Sequence, residues 1–203
     1  DELIEKFSLK RVQKSGARFD EKRLLWLNGA HIRNISVDKL YEYVSPWDDN
    51  PQKDGGQTGF WPESAYAPNI TKEYRMKVLA LAQDRLKMFE DLRGFGYFFA
   101  ESEINMELIN GNKQLKKLSD SERRELLETA SQELTKLTDW TPESIQSCLN
   151  KLLETTGQKP GVLFSLIRIA VTWAPFSPQL NDTLALIGRE RTLARLQSFL
   201  SIN

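Results

Sequence analysis

The chain has 203 residues, of which 40% are hydrophobic and 28% charged, with 28 basic and 28 acidic residues. This composition is typical of a folded protein that is neither disordered nor embedded in a membrane. A single cysteine, Cys148, excludes an intramolecular disulfide and a thiolate metal site. We therefore expect no metal centre, no membrane span and a reducing compartment, either the cytoplasm or an organelle matrix.

The charges are unevenly distributed along the chain. Residues 1–23 hold 7 basic against 5 acidic residues, residues 24–155 hold 16 against 21, and residues 156–203 hold 5 against 2. A polyanion is therefore expected to lie across the two ends and to avoid the middle. The same distribution is also compatible with an ordinary surface whose charges serve solubility.

Two short helices are predicted in the first quarter of the chain. Asp20 is expected to cap the first helix, which the Asn28–Gly29 pair should end. Ser36 is expected to cap a second helix that runs to about Val44.

A long loop is predicted over residues 45–68, which concentrate Pro, Gly, Asp and aromatic residues without helical period. The aromatic residues of interest are Trp47, Phe60, Trp61 and Tyr66. Their rings offer stacking surfaces for bases, but aromatic packing of the loop onto its own domain is the more common role.

Helix signals dominate the rest of the sequence. Thr71 should begin the longest helix, running to about Arg93, and Ser119 with Glu122 forms an S-x-x-E capping box for another. Thr141 is expected to cap the next helix. Further helices are predicted over 161–173, 180–187 and 189–200, separated by a turn and by Gly188. The predicted fold class is all-α.

No catalytic site can be assembled from the sequence. His31 is the only histidine, and Cys148 lies on the apolar face of its predicted helix, where packing is the expected role. Walker-type and Rossmann glycine motifs are absent from the sequence. The sequence therefore offers no catalytic motif of its own, which leaves enzymatic activity of this chain an open question, and we expect no cofactor in the chain itself.

Two arginines lie in unusual positions. A projection at about 100° per residue places Arg85 inside the apolar stripe of the predicted 71–93 helix, and Arg168 is the sole charge between Gly161 and Phe176. A buried guanidinium needs a partner. A carboxylate would meet that need, as would the helix C-terminus for Arg168. The functional alternative is a planar donor fork that reads bases or phosphates.

Four stretches, in order, resemble the bacterial and organellar glutamyl-tRNA synthetase family. They are FSLKRVQKSGARFDEKRLLWLNGAHIR at 7–33, the Arg85 region ending in GYFFAE at 96–101, DWTPESIQ at 139–146, and KPGVLFSLIRIAVT at 159–172 continuing through SPQL to DTLALIGRERTLARL. The resemblance covers nearly the whole chain, and its first and last stretches are the most specific.

The resemblance implies three all-α units. They are a stem-contact helical subdomain at 1–70 that includes the loop 45–68, a first anticodon-binding helical subdomain at 71–118, and a second anticodon-binding helical bundle at 119–203. The family's catalytic half, which uses ATP to join glutamate to tRNA(Glu), has no counterpart in this sequence. The chain is therefore expected to be the C-terminal tRNA-binding region of such a ligase, and to act as a monomer.

The resemblance also assigns roles to individual residues. Arg85 falls where the family presents an arginine to the third anticodon base, and Arg168 falls near the first base. Ser177, Pro178 and Leu180 align with the loop segment that lines the first two bases. Contacts to the tRNA stem and backbone are expected from Lys10, Arg11, Lys14, Arg18, Lys22, Arg23 and Arg33.

The sequence departs from the family at two positions near Arg168. The family's Pro-Leu-Arg is Leu166-Ile167-Arg168 here, and the family's glycine after Thr172 is Trp173. The first change is expected to straighten the helix and the second to alter the turn toward Pro175.

Two alternatives to a tRNA(Glu) module stay open. In the first, the enzyme is non-discriminating and also accepts tRNA(Gln), whose anticodon differs at the third base. In the second, the chain is a helical protein-interaction domain that docks a partner through the 45–68 loop and the Leu193, Leu196 and Leu200 stripe.

Overall fold

The computed structural model describes residues 2–8, 19–45 and 59–202. Over these residues the secondary structure is helical, with no strand, so the predicted all-α class is confirmed. The α-helices are α1 (Glu2–Lys6), α2 (Glu21–Asn34), α3 (Val37–Val44), α4 (Lys72–Ala82), α5 (Glu107–Asn110), α6 (Asp120–Thr135), α7 (Pro142–Thr156), α8 (Pro160–Thr172), α9 (Leu180–Ile187) and α10 (Arg189–Leu200). Short 3₁₀ segments occupy Glu63–Tyr66, Gln83–Arg85, Phe89–Phe98 and Leu115–Lys117.

The predicted helix caps are confirmed. The side chains that accept a hydrogen bond from the backbone N–H three residues on are those of Asp20, Ser36, Thr71, Ser119 and Thr141. The Ser119 N–H in turn donates to the Glu122 carboxylate at 2.7 Å, which completes the capping box. Each such cap stabilises its helix by about 1 kcal/mol.

The predicted end of α2 at Asn28–Gly29 is wrong, because the helix continues to Asn34. Gly29 is buried, and a Cβ added there would lie 3.2 Å from the Leu86 carbonyl oxygen. Asn28 donates a side-chain hydrogen bond to the Lys87 carbonyl. The glycine therefore permits close approach of another segment rather than ending the helix.

The predicted long helix from Thr71 to about Arg93 is also wrong. The α-helix ends at Ala82, tightens into the 3₁₀ segment Gln83–Arg85, and becomes extended at Leu86, with φ −76° and ψ 133°. The buried Gln83 amide donates to the backbone carbonyls of Ile32 and Ile35, both at 2.8 Å. These contacts satisfy orphan carbonyls at the end of α2 and tie the chain to it where α4 stops.

The described part of the aromatic loop packs onto its own domain. Trp61 is 1% exposed, and its indole N–H donates to the Ser45 hydroxyl at 2.6 Å. Phe60 and Tyr66 are partly buried against the core. For these three aromatic residues the packing interpretation is confirmed, whereas Trp47 lies outside the described residues.

Helices α6 to α10 form the C-terminal bundle, in which α8 is the most buried. The fully buried residues of α8 are Leu163, Leu166, Ile167, Ala170 and Val171. Helix α9 packs against both α7 and α4, so it joins the C-terminal bundle to the middle of the chain. Among the described helices, none combines the length and the hydropathy of a membrane span.

Packing also accounts for Cys148 and for the leucine stripe of the last helix. Cys148 is buried on the inner face of α7, as predicted. Leu196 is fully buried, and Leu193 and Leu200 pack against the core. Leu196 is therefore used inside the bundle, and Leu193 and Leu200 are partly covered by it, so docking of a partner through this stripe stays a prediction.

Arg195 of α10 links three parts of the molecule. The guanidinium is buried and donates to the Glu101 carboxylate at 2.8 Å, to the Ala100 carbonyl at 2.7 Å and to the Val171 carbonyl at 3.0 Å. Hydrogen bonds from Arg195 hold the pKa of Glu101 below its ordinary value. Arg195 is therefore a fully partnered buried cation with a structural role.

Candidate nucleic-acid interface

Arg168 lies half-buried on α8, and its partner is a hydroxyl rather than a carboxylate. Its Nε donates to the Ser177 Oγ at 2.8 Å, and no described carboxylate pairs with it. Burial lowers the pKa of the Arg168 guanidinium, Tyr97 acts in the opposite direction, and the nearby Arg85 lowers it further. Within the described residues, the carboxylate alternative is therefore not realised for Arg168.

The Ser177 hydroxyl fixes one end of this arginine. The hydroxyl is buried, accepts from Arg168 and donates to the Pro178 carbonyl at 2.9 Å, and Thr183 Oγ1 lies 3.4 Å away. Its hydrogen-bonding capacity is therefore filled. The Nη groups of Arg168 make no hydrogen bond with a described residue, so most of the donor fork remains available.

The turn before α9 lies next to this arginine. Ser177, Pro178 and Leu180 are all buried. Their side chains therefore shape the turn, and their assignment to base contacts stays a prediction.

Arg85 is exposed, so its predicted place inside an apolar stripe is wrong. The projection failed because the α-helix ends at Ala82, three residues earlier. Arg85 makes no ion pair with a described residue. It lines a surface pocket of about 430 Å³ together with Asp84, Pro178 and Gln179. The structure thus brings Arg85 and the turn beside Arg168 to one surface.

Trp173 ends α8 in the left-handed region, with φ 46° and ψ 35°. This backbone conformation explains why a glycine suits the position in the resembling family. For an L residue it costs about 1–2 kcal/mol. The indole stacks on Phe199 with a centroid distance of 5.4 Å and an interplanar angle of 19°, a contact that offsets about 0.5–1.5 kcal/mol of this strain.

The predicted stem-contact residues are only partly described. Lys22, Arg23 and Arg33 are exposed on α2, where a rise of about 1.5 Å per residue spreads them over roughly 17 Å. Lys10, Arg11, Lys14 and Arg18 lie outside the described residues. The described cations can meet phosphates along one helix, and the assignment of all seven stays a prediction.

The sequence reasoning missed Tyr97. Its side chain is 3% exposed, and its hydroxyl has no hydrogen-bond partner among the described residues. Burial raises the pKa of this hydroxyl, and Arg168 acts in the opposite direction. The only signal in the sequence is a tyrosine inside the apolar string GYFFAE, which reads as core.

Comparison with known proteins identifies related chains. A family model described as "Anticodon binding domain" matches residues 39–200. The chain is 34% identical to the "Glutamate--tRNA ligase" of Chloroflexus aurantiacus over 197 residues, which covers 97% of this chain and 37% of that protein. It is 33% identical to the protein of the same name from Roseiflexus castenholzii, covering 100% of this chain and 38% of that protein.

Solved structures agree on the fold. A glutamate tRNA ligase from Elizabethkingia meningosepticum, crystallised in complex with its amino acid, superposes with a TM-score of 0.69 at 22% identity. The match covers 98% of this chain and 36% of that structure. The chain therefore spans little more than a third of the length of these relatives.

Proposed function

The chain belongs to the anticodon binding domain family and corresponds to that region of glutamate–tRNA ligases, and from this premise we propose that it binds tRNA(Glu) and reads its anticodon. In this proposal Arg168 and the turn at Ser177, Pro178 and Leu180 contact the first two anticodon bases. Arg85 contacts the third base. The basic residues of the first 33 positions bind the tRNA backbone.

One observation carries the proposal. Arg168 is a half-buried guanidinium that is held at Nε by a hydroxyl, has no described carboxylate partner, and faces the same region as the exposed Arg85. The nearby positive charge of Arg85 lowers the pKa of Arg168, so it opposes the charged form of Arg168 in the free protein. The phosphates of an RNA ligand would reduce the repulsion between Arg85 and Arg168, and its base edges would accept hydrogen bonds from the Arg168 donors that have no partner among the described residues.

We also propose where the ligation reaction of the whole enzyme takes place. Ligation of glutamate with ATP is assigned to the part of the relatives that this chain does not span. This chain contributes recognition and positioning of the tRNA.

Binding of a tRNA(Glu) transcript should fall steeply with salt. If the seven basic residues named for backbone contact each neutralise one phosphate, the slope of log K against log salt is about −5 to −6, and affinity falls roughly a thousandfold between 50 and 200 mM salt. Fluorescence anisotropy titration over this range measures the slope. Absence of binding at the lowest salt concentration overturns the proposed function.

Arg85→Gln should reduce the preference for tRNA(Glu) over tRNA(Gln), because the glutamine loses the charged donor fork at the third base. We expect the ratio of the two dissociation constants to fall by about tenfold, the size expected for one bidentate base contact. Lys22→Ala is the matched control, since it should weaken both tRNAs alike and lower the salt slope by about one. If Arg85→Gln, like Lys22→Ala, weakens binding of both tRNAs by the same factor, Arg85 does not contact the third base. A wild-type chain that binds both tRNAs equally indicates the non-discriminating alternative.

A further inference from the structure

The buried hydroxyl of Tyr97 is an unusual feature of this surface. Nearly all buried polar groups in folded proteins have a hydrogen-bond partner, and one without a partner destabilises the folded state. Of the described residues that are not exposed, Tyr97 is the one whose side chain holds a buried polar atom without a partner. A phenylalanine fills the same space without this penalty, so the hydroxyl needs a reason beyond packing.

The position of Tyr97 supplies that reason. Its ring lies 6.1 Å from the Phe95 ring, and Phe95 makes an edge contact with Phe176 at 6.3 Å. Phe176 immediately precedes Ser177, whose hydroxyl holds Arg168. Tyr97 is therefore packed into the same aromatic cluster that supports the Ser177 turn.

Arg168 has hydrogen-bond donors without a partner among the described residues, which the Tyr97 hydroxyl could accept. Its guanidinium is held by a single hydrogen bond at Nε, and an arginine held at one end can pivot about that contact. An Nη donor and the phenol oxygen are complementary, since arginine only donates and a phenol oxygen can accept. The mutual effect of Tyr97 and Arg168 on each other's ionisation is consistent with their proximity.

We propose that Tyr97 is a positioning residue for RNA recognition: when RNA binds, its hydroxyl accepts a hydrogen bond from one Nη of Arg168, while Ser177 keeps the Nε. The guanidinium plane is then fixed at two points, and the other Nη is directed to the nucleobase. This inference rests on the proposed function, since it concerns how the proposed reader is held.

Tyr97→Phe should separate stability from binding. In the free protein, thermal unfolding is expected at the same temperature as in the wild-type chain or higher, because an unpartnered buried hydroxyl is removed. Binding to a tRNA(Glu) transcript should weaken by about tenfold, the lower limit expected for loss of one hydrogen bond to a charged group. In the Arg168→Ala background, Tyr97→Phe should have no further effect on binding.

Tyr74→Phe is the matched control. The Tyr74 hydroxyl lies within hydrogen-bond distance of the carbonyls of Phe98 and Leu186, at 3.0 and 3.2 Å. Its removal should lower the unfolding temperature by about 2–4 °C and leave the affinity of the folded protein unchanged.

Three results would overturn the role of Tyr97 and leave the proposed function intact. They are wild-type affinity in Tyr97→Phe, an equal loss from Tyr97→Phe with and without the Arg168 side chain, and a fall in unfolding temperature like that of Tyr74→Phe. Failure of the wild-type chain to bind the transcript would instead overturn the proposed function and this inference with it.

Discussion

Replacing Arg168 by methionine is expected to weaken binding of a tRNA(Glu) transcript by about 30- to 100-fold, or about 2–3 kcal/mol, the size of a hot-spot arginine. The free protein should be as stable as the wild type or more stable. Arg168 is desolvated, its partner among the described residues is the neutral Ser177 hydroxyl, and methionine fills a similar volume without a charge. Binding titration and thermal unfolding of the same samples test both halves of the prediction.

Arg168→Lys is the control for charge. Lysine keeps the positive charge but loses the planar fork, so it should recover only part of the lost affinity. Full recovery would mean that Arg168 acts as a point charge on phosphate. A large fall in stability for Arg168→Met would assign the residue to the core instead of the interface.

Replacing Arg195 by methionine is expected to lower the stability of the protein and to leave its affinity for tRNA unchanged, which is the opposite of the result expected for Arg168→Met. The unfolding free energy should fall by about 3 kcal/mol, because the buried Val171 carbonyl loses its side-chain donor, and Ala100 and Glu101 keep only longer contacts with Arg191, at 3.5 and 3.6 Å. For a chain of this size, that fall lowers the unfolding temperature by roughly 6–12 °C. Affinity for tRNA, measured below the transition and corrected for the folded fraction, should stay close to wild type.

The pH dependence of this effect has a defined sign. The folded-state pKa of Glu101 is lowered below its ordinary value of 4.5, chiefly by the hydrogen bond from Arg195. A lowered pKa stabilises the fold above the unfolded value, and that contribution is lost as the pH falls through the folded value. The stability difference between wild type and Arg195→Met should therefore narrow below about pH 4.

The decrease of this stability difference at low pH should be small. The Glu101 side chain is 69% exposed, so solvent screens the ion pair, while the bonds to the two backbone carbonyls do not titrate. A difference of less than about 1 kcal/mol at neutral pH, or one that vanishes entirely in acid, would contradict the structural role given to Arg195.

Local chemistry was readable from the sequence. The caps at Asp20 and Ser119 depend on residues three positions apart, so a short stretch of sequence is enough to predict them. Arg168 stands out in the sequence for a similar reason, since a lone charge in an apolar run must find a partner. The identity of that partner, the Ser177 hydroxyl, depends on how the turn after Trp173 folds back, and the sequence pattern does not contain that information.

The wrong predictions share one cause, which is contact between segments distant in the chain. Gly29 reads as a helix stop, yet its missing side chain makes room for the backbone at Leu86. Gln83 lies inside the predicted long helix, yet its amide donates to the carbonyls of Ile32 and Ile35. Both contacts lie at or just beyond the point where the α-helix ends, and Arg85 in this segment is exposed. Periodicity cannot anticipate them because tertiary contacts override local preference.

The most direct measurement is a double-mutant cycle between Arg168 and the first anticodon base. Wild-type and Arg168→Met chains are titrated with a tRNA(Glu) transcript and with one in which that base is replaced. If Arg168 reads the base, the two changes are non-additive, with a coupling of about 1 kcal/mol or more. Additive losses would show that Arg168 does not contact that base and would contradict the assignment of this guanidinium to anticodon recognition.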